Sequence, residues 1–406
     1  MKLSDIDLYD PDNYVAGVPH EMFATLRREA PVFWHEHPDG GGFWCVTTYD
    51  DLVTVNRDTT LFSSWEGTSF LNTPEGDSLE TTRLMMLNMD PPEHTKLRMI
   101  VNRGFTPRRI KELQDILALR ARTIVDRIAA GGSGAFVGDG AGELPPRAIA
   151  EFLGAPEAAR HMLFEWTNRL IGFDDPEFRT SDEDGQAAAA EIYAYAQGLA
   201  EDRRANPRDD IVTALINAEV DGHRLSDLDF NLFFLLLVVA GNETTRNAIS
   251  HAMLALIEHP EQRQRLLDDP TLLDSAIEEF LRWASPVMHF RRTATADTEL
   301  HGQPIAAGDR VVIWHISANR DEDVFPDPFT FDIGRTADKG GAPVAFGGGG
   351  AHYCLGANLA RAEMKVMLGE LLARIPDMEL DGSVDRLRSN FINGIKRMPV
   401  RYTPVA

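Results

Sequence analysis

The segment Phe346-Gly347-Gly348-Gly349-Gly350-Ala351-His352-Tyr353-Cys354-Leu355-Gly356 gathers residue types that can do chemistry. Glycine-rich backbone running into a helix first suggests phosphate binding. No Gly-Lys-Ser/Thr follows, however, and His352 occupies the last glycine position of the dinucleotide spacing, so both phosphate motifs fail. What remains is a cysteine at a helix start, where backbone amides and the helix dipole favour a thiolate. The glycines are expected to bring backbone close to a large flat ligand. A thiolate held in this way suits the axial position of a haem iron, and a buried, inert cysteine fits the same letters. The segment alone leaves both readings open. A second group, Gly241-Asn242-Glu243-Thr244-Thr245, sets an acid beside an alcohol directly after the apolar run 232–240. Polar groups in that setting need a reason, because burying them without partners is costly.

The elements that must position these groups are mainly helical. From about residue 107 to 258, apolar residues recur three and four apart among Ala, Leu, Glu and Arg. The longest predicted helix opens at an N-cap on Ser226, has Asp227 and Asp229 in its first turn, and continues to Glu258 before Pro260. Its roughly 33 residues would extend about 50 Å. Its centre is apolar on every face, which predicts burial all round. Further helices are predicted over 270–283 and 355–375. Two strands, 31–35 and 43–47, flank a turn at Asp39-Gly40-Gly41-Gly42. A β-rich stretch covers 287–316, with turns at His301-Gly302 and Ala307-Gly308-Asp309, and an irregular segment then runs to Arg335. No βαβ alternation occurs, so the predicted class is mainly α with small segregated β-sheets.

Composition narrows the function. Forty Lys plus Arg stand against 63 Asp plus Glu in 406 residues, a net charge of −23 that repels nucleic acid and anionic membranes. The two cysteines, Cys45 and Cys354, exclude a disulfide framework and a zinc site built of several thiolates. The N-terminus is acidic and lacks an apolar h-region, so no signal peptide is expected. The longest apolar run is about nine residues, against the roughly 20 that a membrane span needs. These features predict a cytoplasmic protein.

The glycine-cysteine segment resembles the cysteine-ligand loop of cytochrome P450, the haem-thiolate monooxygenases, and three further stretches resemble that family in the right order. Asp90-Pro91-Pro92-Glu93-His94-Thr95-Lys96-Leu97-Arg98 is similar to the helix that meets the haem edge, Ala240-Gly241-Asn242-Glu243-Thr244 to the oxygen-activation turn, and Glu279-Phe280-Leu281-Arg282 to the Glu-x-x-Arg pair. Two departures stand out. Phe346 lies eight residues before Cys354 where most members have seven, and Thr330 stands where many carry the Arg that completes the Glu-Arg network. That leaves Arg320 as first candidate and Arg335 as second.

The resemblance implies one haem-thiolate domain over residues 1–406, with the long helix crossing haem b (iron protoporphyrin IX). Cys354 would ligate the iron, and His94, Arg98, Arg292 and His352 would meet the propionates, with Arg291 left solvated. Glu243 and Thr244 would deliver protons, Gly241 would leave room for dioxygen, and Glu279 with Arg282 would form a structural ion pair. Nothing resembles a flavin or nicotinamide domain, so electrons would come from NAD(P)H through a ferredoxin reductase and a ferredoxin. A basic patch of Arg103, Arg108, Arg109, Lys111, Arg361 and Lys365 would receive that acidic partner. By position in the family, pocket walls would include residues 65–86, Leu236, Val239, Ala240, Val287, Met288, Phe290, Phe391 and Ile392, which are mostly apolar and predict a lipophilic substrate. The resemblance is strongest to members that hydroxylate branched lipids, terpenoids or sterol side chains near a chain end. The alternatives are a peroxide-driven peroxygenase and a haem-binding sensor without turnover.

Overall fold

The computed structural model describes residues 1–406 except 38–39, 157–158, 172, 179–180, 221, 338–340 and 406. Its axis is the helix Asp227–Glu258, 32 residues long. Ser226 Oγ accepts from Asp229 N (3.1 Å), and the Asp229 carboxylate accepts from Ser226 N (3.0 Å), a reciprocal cap that satisfies two otherwise orphaned donors. By length and composition this helix could cross a membrane, with an 18-residue window of mean hydropathy 1.2, yet 56% of that window is buried inside the protein. It behaves as a core helix.

Two hydrophobic cores meet on it. Phe230, Phe233, Phe234, Leu235, Leu237 and Val238 pack with the helices Leu144–Leu153, Arg160–Ile171 and Asp182–Ala205. About three turns later, Ala248, Ile249 and residues 252–256 join the helices Leu273–Ala284 and Ala357–Arg374 in a second core. The motif Gly241-Asn242-Glu243-Thr244-Thr245 therefore falls at the seam between the cores, where a polar group costs least apolar packing.

Among the described residues the strands form four small sheets, of which the predicted β segments supply two; the others, made by 133–135, 379–380 and 399–401 and by 385–386 and 395–397, were not expected. The largest is ordered Val32–Glu36, Gly42–Val46, Arg310–Trp314, His289–Ala294, Phe62–Ser63, with the second and third strands parallel and the other pairs antiparallel. Cys45 lies fully buried in it, opposite Phe33 and Val312, and burial pushes its thiol far up. It is the inert cysteine of the two. Thr298–Leu300 and Gln303–Ile305 make the hairpin whose turn was read at His301-Gly302; both residues have positive φ, 51° and 76°. Asp39 of the first predicted turn lies outside the described residues. The predicted helix over 270–283 divides into a short turn, Pro270–Leu272, and the helix Leu273–Ala284.

Candidate functional site

Cys354 N donates to Phe346 O (3.0 Å), closing the loop that presents the sulfur just ahead of the helix Ala357–Arg374. The loop glycines have a different reason from the one expected. A Cβ at Gly347 would meet Asn56 Nδ2 at 3.1 Å, at Gly348 Val53 Cγ2 at 2.6 Å, at Gly349 Arg57 Nε at 3.0 Å, and at Gly350 Asn56 O at 2.6 Å. All four face the helix Tyr49–Arg57 rather than a ligand, and Gly347, Gly349 and Gly350 also hold positive φ. Burial raises the Cys354 pKa, opposed by the amides of Gly356 and Ala357 and by Arg98 and Arg361. The amides favour the thiolate as expected, but desolvation outweighs them, and a bound metal ion is what deprotonates such a sulfur outright.

Beside the sulfur, four donor side chains converge. Arg98 Nη2 donates to Tyr353 O at 2.5 Å, one residue from the cysteine. The rings of His94 and His352 lie 4.2 Å apart between centroids, and His352 Nε2 is 3.3 Å from Ser64 Oγ. Arg292 is buried, donating to Arg291 O and Asn56 Oδ1, each at 2.8 Å. Among the described residues no carboxylate forms an ion pair with any of the four. Asp90 is near enough to favour charge on His94 and Arg292, but its oxygens accept from Ser63 Oγ and from Ser64 N. Burial, with Arg98 and Arg292 adding, pushes His94 down to about 4, and burial with Arg292 and His94 pushes His352 down to about 2. Arg292 Nε and His94 Nδ1 are buried without partners. Two arginines without acid partners and two imidazoles, all able to donate, next to a cysteine sulfur, fit a group that carries two carboxylates and a metal, as haem does.

On the central helix, Leu236, Val239, Ala240, Gly241 and Thr244 are the residues of 232–245 that escape full burial, and the i,i+4 run Leu236, Ala240, Thr244 makes them one open strip. Leu355, next to the cysteine, packs into the same apolar cluster as Leu236 and Val239. Thr244 Oγ1 donates to Ala240 O at 2.6 Å, the local back-bond available to a helical Thr. Gly241 corrects an expectation. A Cβ there would strike Ile149 Cδ1 at 2.5 Å, so its missing side chain admits the neighbouring helix Leu144–Leu153 rather than a small ligand. Glu243 points away from the strip. Its Oε1 accepts from Arg246 and from Asn247 Nδ2 (2.8 Å), while Oε2 is buried without a partner. Arg246 continues to Asn168 Oδ1 (3.0 Å), and Asn247 Oδ1 accepts from Ile395 N (3.1 Å). Sequence reasoning missed Arg246 and Asn247, although their i+3 and i+4 spacing from an acid on a buried helix was a usable signal.

The predicted pocket residues come together in part. Val287 bridges Ile392, Met288 N donates to Phe391 O (2.8 Å), and Val239, Val287, Phe391 and Ile392 share one cluster with Phe178. Phe290 stands 5.9 Å from Phe391 between ring centroids. Met288 does not belong with them. Strand alternation turns its side chain the other way, into the core of Leu71, Phe43 and Trp314.

The Glu279 and Arg282 side chains are both fully buried and paired at 2.7 Å. Arg335, 3.2 Å from Glu279, is the second cation of this network. Arg320, the first candidate, instead donates to Trp283 O (2.7 Å), and burial pushes it down to about 9. Arg291 is not solvated but fully buried.

In the expected basic patch, Lys111, Arg361 and Lys365 line one groove of about 520 Å³. Much of the charge is matched: Arg108 pairs with Glu112, Arg109 with Asp209, Arg361 with Glu278 and Lys365 with Asp274.

A family model described as Cytochrome P450 matches residues 157–379. The Steroid C26-monooxygenase of Rhodococcus jostii (strain RHA1) is 45% identical over 98% of this chain and 84% of its own length. The Methyl-branched lipid omega-hydroxylase of Mycobacterium tuberculosis (strain ATCC 25618 / H37Rv) is 44% identical over 99% of this chain and 96% of its own. Among solved structures, a Mycobacterium marinum cytochrome P450 in complex with pseudoionone is 42% identical, covers 94% of both chains and superposes with a TM-score of 0.87. With a family model matching more than half its length and relatives this similar along nearly all of it, the chain belongs to the cytochrome P450 family of haem-binding monooxygenases.

Proposed function

We propose that this cytochrome P450 hydroxylates an unactivated C–H bond near the end of a branched aliphatic chain, such as that of a methyl-branched lipid or a steroid side chain. The observation that carries the reading is the open apolar strip on the central helix, where Val239 packs with Val287 and Phe391 and Thr244 supplies one hydroxyl. Such a surface holds a hydrocarbon by area and offers few polar contacts to orient it. The names of the similar steroid and branched-lipid hydroxylases support the same class.

Haem, when bound, supplies dioxygen activation, with Cys354 as the metal ligand. His94, Arg98, Arg292 and His352 hold its carboxylates, which supply the acid partners that the two arginines lack. Thr244 gives its proton to Ala240 O, so its oxygen presents lone pairs to the open strip and accepts from a donor there. Glu243 Oε2 is the oxygen without protein partners, while Arg246 and Asn247 fix the other. A carboxyl so placed passes a proton toward Thr244 on side-chain rotation. Glu279, Arg282 and Arg335 act structurally.

Electrons come from NAD(P)H through a ferredoxin reductase and a ferredoxin, in the cytoplasm. The docking surface is the Lys111–Arg361–Lys365 groove, extended by Arg103, Arg108 and Arg109. The matched acids there make the attraction local, which favours orientation over strength.

The test is the carbon-monoxide difference spectrum of the reduced protein, followed by titration with branched fatty acids, terpenes and sterols. A red-shifted thiolate band and a spin-state shift with a branched chain are expected. A shift with none of the panel would overturn the substrate class. Turnover with peroxide exceeding turnover with a redox chain would replace the electron route, and haem binding without NAD(P)H consumption would favour a sensor.

A further inference from the structure

Arg291 and Arg292 are neighbours on the strand His289–Ala294, and strand alternation turns them to opposite faces. Arg292 joins the cluster beside Cys354. Arg291, at 0% exposure, has its guanidinium among backbone carbonyls: Nε donates to Gly67 O (3.1 Å), Nη1 to Leu71 O (3.4 Å) and Thr73 Oγ1 (3.0 Å), and Nη2 to Glu66 O. Arg291 N donates to Thr68 O at 2.8 Å, and Arg310 Nη1 adds a bond to Leu71 O at 3.2 Å. No carboxylate among the described residues lies within ion-pair distance of it. Gly67 holds a φ of 98°, and a Cβ there would come to 3.2 Å from Arg291 Nη2. Burial pushes Arg291 down to about 10, which leaves it charged at neutral pH. A buried cation with no acid partner is costly to keep, and what it holds is one loop, residues 66–73.

That loop carries Phe70, 44% exposed, whose ring lies 4.9 Å from that of Phe173. Phe173 lies 6.5 Å from Phe391, which clusters with Val239 and Val287. A line of aromatic rings therefore leads from the clamped loop into the pocket.

We infer that Arg291 is a positioning residue for substrate: by gripping the backbone of residues 66–73 it sets Phe70 against Phe173 and Phe391, and these rings select the shape of the chain that enters. The inference rests on the proposal that this apolar pocket is the substrate site. If losing the clamp leaves the loop correctly placed about one-tenth of the time, apparent affinity falls about tenfold while the bound complex reacts as before.

The test compares haem-loaded wild type with Arg291→Gln, Arg291→Lys and Phe70→Ala. Each is titrated with a methyl-branched fatty acid and with a sterol bearing its full side chain, and products are resolved by position of oxidation. For Arg291→Gln, KM should rise on the order of tenfold with kcat little changed, and products should spread to neighbouring carbons. Arg291→Lys, a point charge without the planar fork, should fall between. Phe70→Ala, which leaves the clamp intact, should reproduce the spread of products. A purely structural role would lower thermal stability and leave KM/kcat partition and product positions alone, and that result overturns the inference. So does an unchanged product pattern in Phe70→Ala, which decides the matter if Arg291→Gln does not fold. If wild type binds neither probe, the substrate proposal fails separately. A phenyl-substituted imidazole, which reaches the iron through the pocket whatever the substrate, then carries the test: a rise in Kd of about tenfold in Arg291→Gln supports the clamp, and a change within about twofold overturns it.

Discussion

Glu279→Gln should unseat the cysteine ligand, although Cys354 lies 75 positions further along the chain. Glu279 accepts from Arg282 Nε at 2.7 Å and Nη2 at 2.8 Å and from Asp332 N at 3.0 Å, with Arg335 3.2 Å from its other edge. Neither Glu279 nor Arg282 has any exposed side-chain surface. Gln keeps the shape and removes the charge, which leaves Arg282 unpaired in the interior, a loss of about 3–5 kcal/mol. Unfolding entropy of about 2.1 cal/mol/K per residue over this chain gives roughly 0.85 kcal/mol per degree, so the melting temperature should fall by about 4–6 °C. The effect reaches the site through an unbroken run of hydrogen bonds: Arg282 Nη1 to Asn319 O (2.8 Å), Val344 N to Asn319 Oδ1 (2.8 Å), and Gly347 N to Val344 O (2.8 Å), which enters the Cys354 loop. The assay is paired, thermal melting beside the carbon-monoxide spectrum, and part of the thiolate band should convert to a non-thiolate form. Arg335→Gln, at a less buried contact, should cost about 1 kcal/mol or less and leave the band intact. In the cycle with Arg282→Met, the double variant should lose less than the sum of the singles, by about 0.5–3 kcal/mol. Additivity within about 0.5 kcal/mol, with a full thiolate band in Glu279→Gln, would refute the argument that an uncompensated charge and a tethered loop are at stake.

Other outcomes follow from the site. Cys354→Ala should abolish the thiolate band; a surviving band would mean that another group ligates the iron. Thr244→Ala should keep haem and electron uptake while product per NAD(P)H falls at least about tenfold and peroxide accumulates. Unchanged coupling between NAD(P)H and product would remove Thr244 from the proton path. His251, His289 and His315 are buried, and burial pushes each down to about 3. The folded protein thus keeps them neutral where the unfolded chain, near 6.5, binds protons. Stability should therefore fall as pH drops from about 6.5 toward 3, each histidine contributing up to about 1.4 kcal/mol per pH unit. Melting measured between pH 7.5 and 5 should show that slope, and His251→Gln should flatten it by one proton's worth; a flat wild-type profile would contradict it.

What the sequence made legible were features whose physics is local. The central helix could be bounded to within a residue because Ser226 and Asp229 cap it reciprocally and Pro260 follows it. The cluster of His94, Arg98, Arg292 and His352 was readable because three of them sit inside family motifs and Arg292 follows one by its position in the family. What was hidden depended on partners far along the chain. Arg291 and Arg292 look alike in sequence, and Arg291 was expected in solvent; its backbone partners are carbonyls of residues 66–71, which leave no trace in side-chain identity. Arg335 reaches Glu279 across an irregular segment whose path no periodicity describes.

The glycines teach the same point about function. Gly241 and the run 347–350 were assigned to a ligand, since a missing side chain next to chemistry suggests room for one. Their Cβ directions meet Ile149 and the helix Tyr49–Arg57 instead. Their smallness brings backbone segments close enough to fix Cys354 and Thr244 in place. This separates two kinds of failure. Gly348→Ala should press on Val53, 2.6 Å away, and disturb the Cys354 loop whatever the substrate. A change at Val239 or Phe391 should alter which carbon is oxidised and leave the thiolate spectrum as it was.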